Sequence, residues 1–575
     1  MLDAPDTTAS PRRGRRSAAP EGGRAGRVGF PRLVWAAVLF MAATSLTWSV
    51  AMPTLRSADE YDHVSAAISW SETGEWPGYK ELPLRAAIPE VFSPAGLRWG
   101  EDPDVIVRPS LTDENATPRS ERVSFDELTP GDHPTRINKA GQHPPAYAIL
   151  TGTVYGALPD GIAFDQAILA LRVISVALIT PLPLIAAAIA RRLGARRGVI
   201  AGAALAVCAV PQLGAFGGAV NNDNLLNLAA ALTLLGIAHV VTGDRRWWVG
   251  LALGLAGALA LLTKAWALPL VAVAFLAYLV AAARSRSLRP WLVSFSAFVV
   301  SVPLGAWWWV RNVLVYGTVQ PAGHRRELED GPLPVGEVLP DIGAAFVELF
   351  PSRFWAQLSI KYGSEAFPNV LLLVLTAIVA IPFIVGLVRP PRGVRPLDVI
   401  LLVVPMVMTL AILVLSVTRL TMQTGVVAGV QGRYLYSTIT VLALVVALGL
   451  GRLSGRRAAW IVPLILGLAA LALTLGSVAR GLSYHYGSPR WGSPLATIDD
   501  VVAWSPVEPW VTIPVWGILA AAALYLLVEL VVNTARGREL VERESRELDV
   551  IEAERREARV ETAPDSGVSS VSSRR

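Results

Sequence analysis

Apolar and polar positions in this chain separate into long blocks instead of alternating. Twelve apolar blocks, at 33–52, 168–190, 199–216, 224–241, 247–263, 266–283, 291–311, 368–388, 398–418, 435–450, 458–479 and 511–532, come close to the roughly 20 residues a helix needs to cross about 30 Å of hydrocarbon. An all-α, polytopic helical bundle of about twelve membrane spans is therefore expected, because open strands would leave backbone groups unsatisfied in lipid. Between the first two blocks, Tyr61, Val64, Ala67 and Ile68 recur at helical spacing. Residues 59–73 are thus predicted to form an amphipathic helix on the membrane surface, ended by Gly74 and Pro77. A polar segment at 78–142 is long enough to be a partly folded outer element. It leads into an apolar stretch, 144–158, too short for a span and read as re-entrant or interfacial. The expected divisions are a disordered basic arm (1–32), a membrane domain (33–532) with outer loops at 53–142 and 312–367, and a charged tail (533–575).

Composition sharpens this picture. Hydrophobic residues make up 53% of the 575 and charged residues only 17%, with a mean hydropathy of +0.47, which excludes a soluble protein of this size. The single cysteine, Cys208, rules out a disulfide framework or a cysteine metal site. The net charge of +6 resides in short arginine-rich loops and tails, so it reports orientation in the membrane and not nucleic-acid binding. With 144–158 left uncrossed, five clusters fall on one side: Arg191/Arg192/Arg196/Arg197, Arg245/Arg246, Arg284/Arg286/Arg289, Arg389/Arg392/Arg395 and Arg452/Arg456/Arg457. The positive-inside bias makes that side, and both termini, cytoplasmic, in a multi-pass protein of the cytoplasmic membrane.

The same topology sends a second set of residues outward. Asp59, Glu60, Asp62 and His63 stand within five positions after the first span, and acids beside hydrocarbon are costly unless they face water, a ligand or a partner. His143, Asn222 and Asp223, Lys264, Arg311, Arg353, and Arg433 with Tyr434 join them on that face. Lone cations on the side where positive charge is disfavoured point to a bound anion, and a phosphate on a lipid suits a basic pocket between span ends. The acids opposite would supply a general base. A divalent cation is the one cofactor such an acidic cluster could admit, but no second ligand segment is visible and no metal is assigned.

Asp59-Glu60 directly after the first span, the HPPAY run at 143–147, and the NNDN, TKAW, WVRNVLVYG and QGRYLY runs together resemble the C-type glycosyltransferase superfamily, including its bacterial protein mannosyltransferases and aminoarabinose transferases. The resemblance spans about 33–480. It implies a polytopic enzyme that takes a sugar from a polyprenyl-phosphate donor on the outer face and passes it to a glycan, lipid or protein acceptor of the cell envelope. Asp59 then falls as general base, with Glu60 orienting acceptor or metal. Lys264, Arg311 and Arg433 would neutralise the departing phosphate, supported by Arg353 and His143. The alternative is a secondary transporter or lipid-linked glycan flippase, since twelve spans with both ends inside is also a carrier layout.

Overall fold

The computed structural model describes residues 29–99, 106–107, 109, 111–128, 136–321, 328, 331–358, 367–486 and 494–561. Most of the basic arm and the Ser-rich end fall outside these residues. Each of the twelve apolar blocks is helical. The first is α1 (Arg32–Ala51), followed by α2 (Glu60–Thr73) and the short α3 (Ala146–Tyr155). Next come α4 (Phe164–Ile179), α5 (Leu182–Arg192), α6 (Arg197–Cys208), α7 (Pro211–Gly217), α8 (Asp223–Val241) and α9 (Trp247–Leu261). Then α10 (Leu268–Ser285), α11 (Leu292–Ser301), α12 (Pro303–Tyr316) and α13 (Val335–Trp355) lead to α14 (Asn369–Val388) and α15 (Pro396–Thr424). Last are α16 (Ile439–Ser454), α17 (Ala458–His485), α18 (Pro494–Trp504) and α19 (Pro509–Glu561).

Eight helical stretches are long and apolar enough to cross a membrane, or ten if each bent pair is one span. The difference from twelve has a local cause at each point. Helix α9 is only 15 residues long. The stretch Gly432–His485 counts once although Gly455, at φ +56, divides α16 from α17. The bends of 64° between α6 and α7 and 48° between α11 and α12 fall where Pro211 and Pro303 begin the second helix. Leu314, Val300 and Val370 are 80%, 75% and 72% exposed on helix surfaces. Large apolar side chains so exposed fit a lipid environment and not water. The chain is a multi-pass helical membrane protein.

Helix α3, at ten residues, spans only about 15 Å and does not cross. It lies against α2, where Gly152 brings it within van der Waals range of Ala67 and Trp70.

Helix α2 departs from the surface-helix expectation. Glu60, Asp62, His63, Ser65 and Ser69 on its polar side are all buried, because the segment after it folds back as a cover. Leu84 N donates to Arg136 O (2.7 Å) and Asn138 N to Leu82 O (2.9 Å), closing a loop whose Ile88, Val91, Phe92, Leu97 and Phe125 pack with Val64 and Ile68. A two-residue antiparallel pair, Arg98–Trp99 with Ile106–Val107, is the only sheet among the described residues. Buried Arg122 ties the cover to Asp165 (2.6 Å) and to Ser505 O (2.9 Å), joining it to α4 and the segment before α19.

Candidate active site

Four side chains from distant parts of the chain meet at the start of α2. Arg433 Nη2 lies 2.5 Å from Asp59 Oδ2, and its Nε lies 3.6 Å from Asp223 Oδ2. Lys264 Nζ is 2.6 Å from Asp223 Oδ1 and 3.3 Å from Asn222 Oδ1. The result is two carboxylates and two cations in one continuous network. Arg433, Asp223 and Lys264 are 5–7% exposed, whereas the Asp59 side chain is 49% exposed. Asp59 is therefore the most open member of the network. The Arg433 guanidinium donates a hydrogen bond only through Nη2, leaving Nε and Nη1 buried without an acceptor. Buried unsatisfied donors on a cation are costly and call for an anion.

Local sequence explains each placement. Asp59 caps α2 in the left-handed conformation, φ 60 and ψ 8. That region is unfavourable for a residue with a Cβ, and such strain concentrates at functional sites. The expected helix from Asp59 thus starts one residue later. In the NNDN run, Asn221 Nδ2 donates to Ala58 O (3.0 Å) and Asn221 Oδ1 accepts from Asp223 N (2.9 Å). Asn224 Nδ2 holds Phe216 O and Ala219 O, so the run welds the start of α8 to the acidic turn. Arg433 lies in a 3-10 turn, Gly432–Thr438, where any Cβ on Gly432 would stand 2.6 Å from Phe354 N. Arg353 Nη1 donates to Val430 O (2.7 Å) and Tyr436 OH to Phe354 O, pinning that turn to α13. Tyr434 stacks on Trp266, centroids 4.9 Å apart, with Lys264 Nζ 5.4 Å from its ring.

Three sequence expectations change. Glu60, expected to orient an acceptor or metal, is fully buried. It receives Arg172 Nε (2.8 Å) and Nη2 (2.7 Å) and Val220 N (3.1 Å), so no face remains for substrate. Arg172 also donates to the carbonyls of Ser49, Met52 and Pro53, locking the end of α1 to α4. Arg311 does not join the network. It sits over the rings of Trp308 and Tyr316, at 5.3 and 5.6 Å, and makes no ion pair among the described residues. Arg353 acts on backbone and positions Arg433 through it.

His63 and His143 line a small cavity with Trp76, Tyr147 and Asn222, so His143 stands beside the network and not in it. Its Nδ1 is buried without a partner, and Trp76 Nε1 donates to its carbonyl (3.2 Å). The His63 ring meets Tyr147 edge-on at 5.7 Å. Burial is the main force on both imidazoles: it holds His63 down at about 4 and His143 well below 6.5. Both are neutral near pH 7.

The two acids of the turn are driven apart. Loss of hydration acts to raise the half-exposed Asp59 carboxyl, but Arg433, His63 and Lys264 outweigh it and hold Asp59 at about 2. Burial and then the Asp59 charge push Asp62 up to about 7, while Asn138 Nδ2 binds the Asp62 carbonyl (2.8 Å). Among the described residues no group of three or more His, Cys, Asp or Glu side chains is placed to hold a metal ion.

Comparison with solved structures finds six matching chains, among them the following two. ArnT from Cupriavidus metallidurans bound to undecaprenyl phosphate aligns over 89% of this chain and 79% of that one, at 15% identity and a TM-score of 0.41. The Archaeoglobus fulgidus oligosaccharyltransferase tethered to an acceptor peptide aligns over 81% and 58%, at 11% identity and a TM-score of 0.40. A search of curated proteins returns no match. Residues 157–309 match the family model described as dolichyl-phosphate-mannose-protein mannosyltransferase, a stretch holding Arg172, Asn222, Asp223 and Lys264. The match covers 153 of the 575 residues, and over that stretch the chain is similar to that family.

Proposed function

We propose that this protein transfers a sugar from a polyprenyl-phosphate donor to a hydroxyl of a cell-envelope acceptor on the outer face of the cytoplasmic membrane, with both termini on the inner side. The observation that carries the reading is the buried Arg433 guanidinium, whose Nε and Nη1 make no hydrogen bond, next to Lys264 and opposite half-exposed Asp59. A donor phosphodiester lying on Arg433 and Lys264 keeps its lipid tail in the bilayer.

The acceptor oxygen attacks the anomeric carbon while Asp59 takes its proton, since an alcohol is a weak nucleophile at neutral pH. The bond from anomeric carbon to phosphate oxygen breaks, and its electron pair leaves with the polyprenyl phosphate. Lys264 and Arg433 stabilise that growing charge. Asp223 holds both cations in place. One displacement inverts the anomeric centre. A carrier is disfavoured, because these groups lie at helix ends under a folded cover and not at mid-helix breaks.

The test is transfer from a synthetic polyprenyl-phosphate sugar in proteoliposomes. Asp59→Asn is expected to reduce turnover, measured on the folded fraction, by about 10²–10⁴-fold. Turnover at the wild-type level in that variant would move the base elsewhere.

A further inference from the structure

Arg433 faces a conflict that the four-residue network makes explicit. Asp59 and Asp223 balance Arg433 and Lys264, so the network is neutral as it stands. A donor phosphodiester entering it brings a third negative charge, and two anions sharing one guanidinium repel at contact distance. One of the carboxylates must give way. Asp223 is fixed: it is 7% exposed, at the first turn of α8, with a second cation 2.6 Å away. Asp59 is free to move. Its side chain is 49% exposed, its one ion pair among the described residues is with Arg433 Nη2, and its left-handed backbone lies outside the helix it caps. Nη1 of the same guanidinium makes no hydrogen bond and Nε reaches only the 3.6 Å ion pair with Asp223, so an arriving phosphate finds an open donor at Nη1 before it displaces anything.

We infer that Arg433 serves two anions in turn, restraining Asp59 while the donor is absent and releasing it when the donor phosphate takes the guanidinium. This rests on the reading of Asp59 as base and Arg433 as phosphate ligand. Its consequence is ordered chemistry. Paired with Arg433, Asp59 is a feeble base, held at about 2. Released, it recovers the basicity needed to take the acceptor proton, and only with a donor in place. Water and stray hydroxyls are not activated in the empty site. Arg433 is then both a phosphate ligand and the restraint on the base.

The inference makes an unusual demand: removing the base should improve binding of the lipid phosphate. The probe is undecaprenyl phosphate, titrated into the full-length protein in nanodiscs, with dissociation constants measured for wild type, Asp59→Asn and Asp59→Ser. Both variants should bind about tenfold more tightly than wild type while failing to transfer sugar. Arg433→Lys should weaken binding, and in that background Asp59→Asn should bring little further gain, because the contested fork is gone. Unchanged or weaker binding in both Asp59 variants, with wild type still binding, overturns the shared-guanidinium inference and leaves the proposed function standing. Failure of wild type to bind the lipid phosphate at all overturns the donor reading and this inference with it.

Discussion

Arg172→Met tests whether the second acid of the turn is structural. Arg172 and Glu60 are 1% and 0% exposed, and the arginine makes five hydrogen bonds: two to the carboxylate and three to carbonyls at the end of α1. Methionine keeps much of the volume but strands the Glu60 charge in the interior. Removing one partner of a buried pair costs about 3–5 kcal/mol, and the three orphaned carbonyls add to that unless water reaches them. Glu60→Gln keeps a hydrogen-bonding group and removes only the charge, so about 2 kcal/mol is expected. The double replacement Arg172→Met with Glu60→Met should cost less than the sum of the single losses, since removing both partners leaves no stranded charge. The assay is SDS unfolding in mixed micelles, paired with sugar transfer measured on the folded fraction. If Glu60→Gln left stability intact but cut transfer more than a hundredfold, Glu60 would belong to the chemistry and the clamp assignment would be refuted.

Two further outcomes are expected. Lys264→Met should weaken undecaprenyl phosphate binding at least tenfold; an unchanged dissociation constant would remove Lys264 from the phosphate site. Asp62→Asn should stabilise the protein in a pH-dependent way. Burial raises folded Asp62 to about 7 from 3.8, so below 3.8 both states are protonated, and between 3.8 and 7 only the unfolded carboxyl ionises and stability is lost. The gain from Asp62→Asn should therefore be small at pH 4 and largest near pH 8, read as unfolding midpoints at both values. Equal gains at the two values would contradict it.

The sequence by itself determined the helical membrane architecture, because hydrocarbon permits few solutions and a block of about 20 apolar residues announces a helix whatever it packs against. It also set apart the residues able to do chemistry, since ionisable groups beside lipid are too costly to be incidental. Asp59, Asp223, Lys264 and Arg433, spread over 375 positions from 59 to 433, stood out on those grounds, and the structure brings the four into one ion-pair network. Arg172 carried a signal of the same kind, a lone charge inside the 168–190 block, but nothing in the linear order named Glu60 as its partner.

Tertiary structure decided the rest. Glu60 and Asp59 are neighbours in sequence, yet a left-handed turn at Asp59 sends one carboxylate into the interior and leaves the other half open. Arg311 and Arg433 look equivalent as lone outer cations, but Arg311 ends among aromatic rings and Arg433 between two acids. Composition measures how costly a charge is to bury; only the packed helices decide which opposite charge comes within 3 Å of it, and that pairing separates the Glu60–Arg172 clamp from the Asp59–Arg433 network.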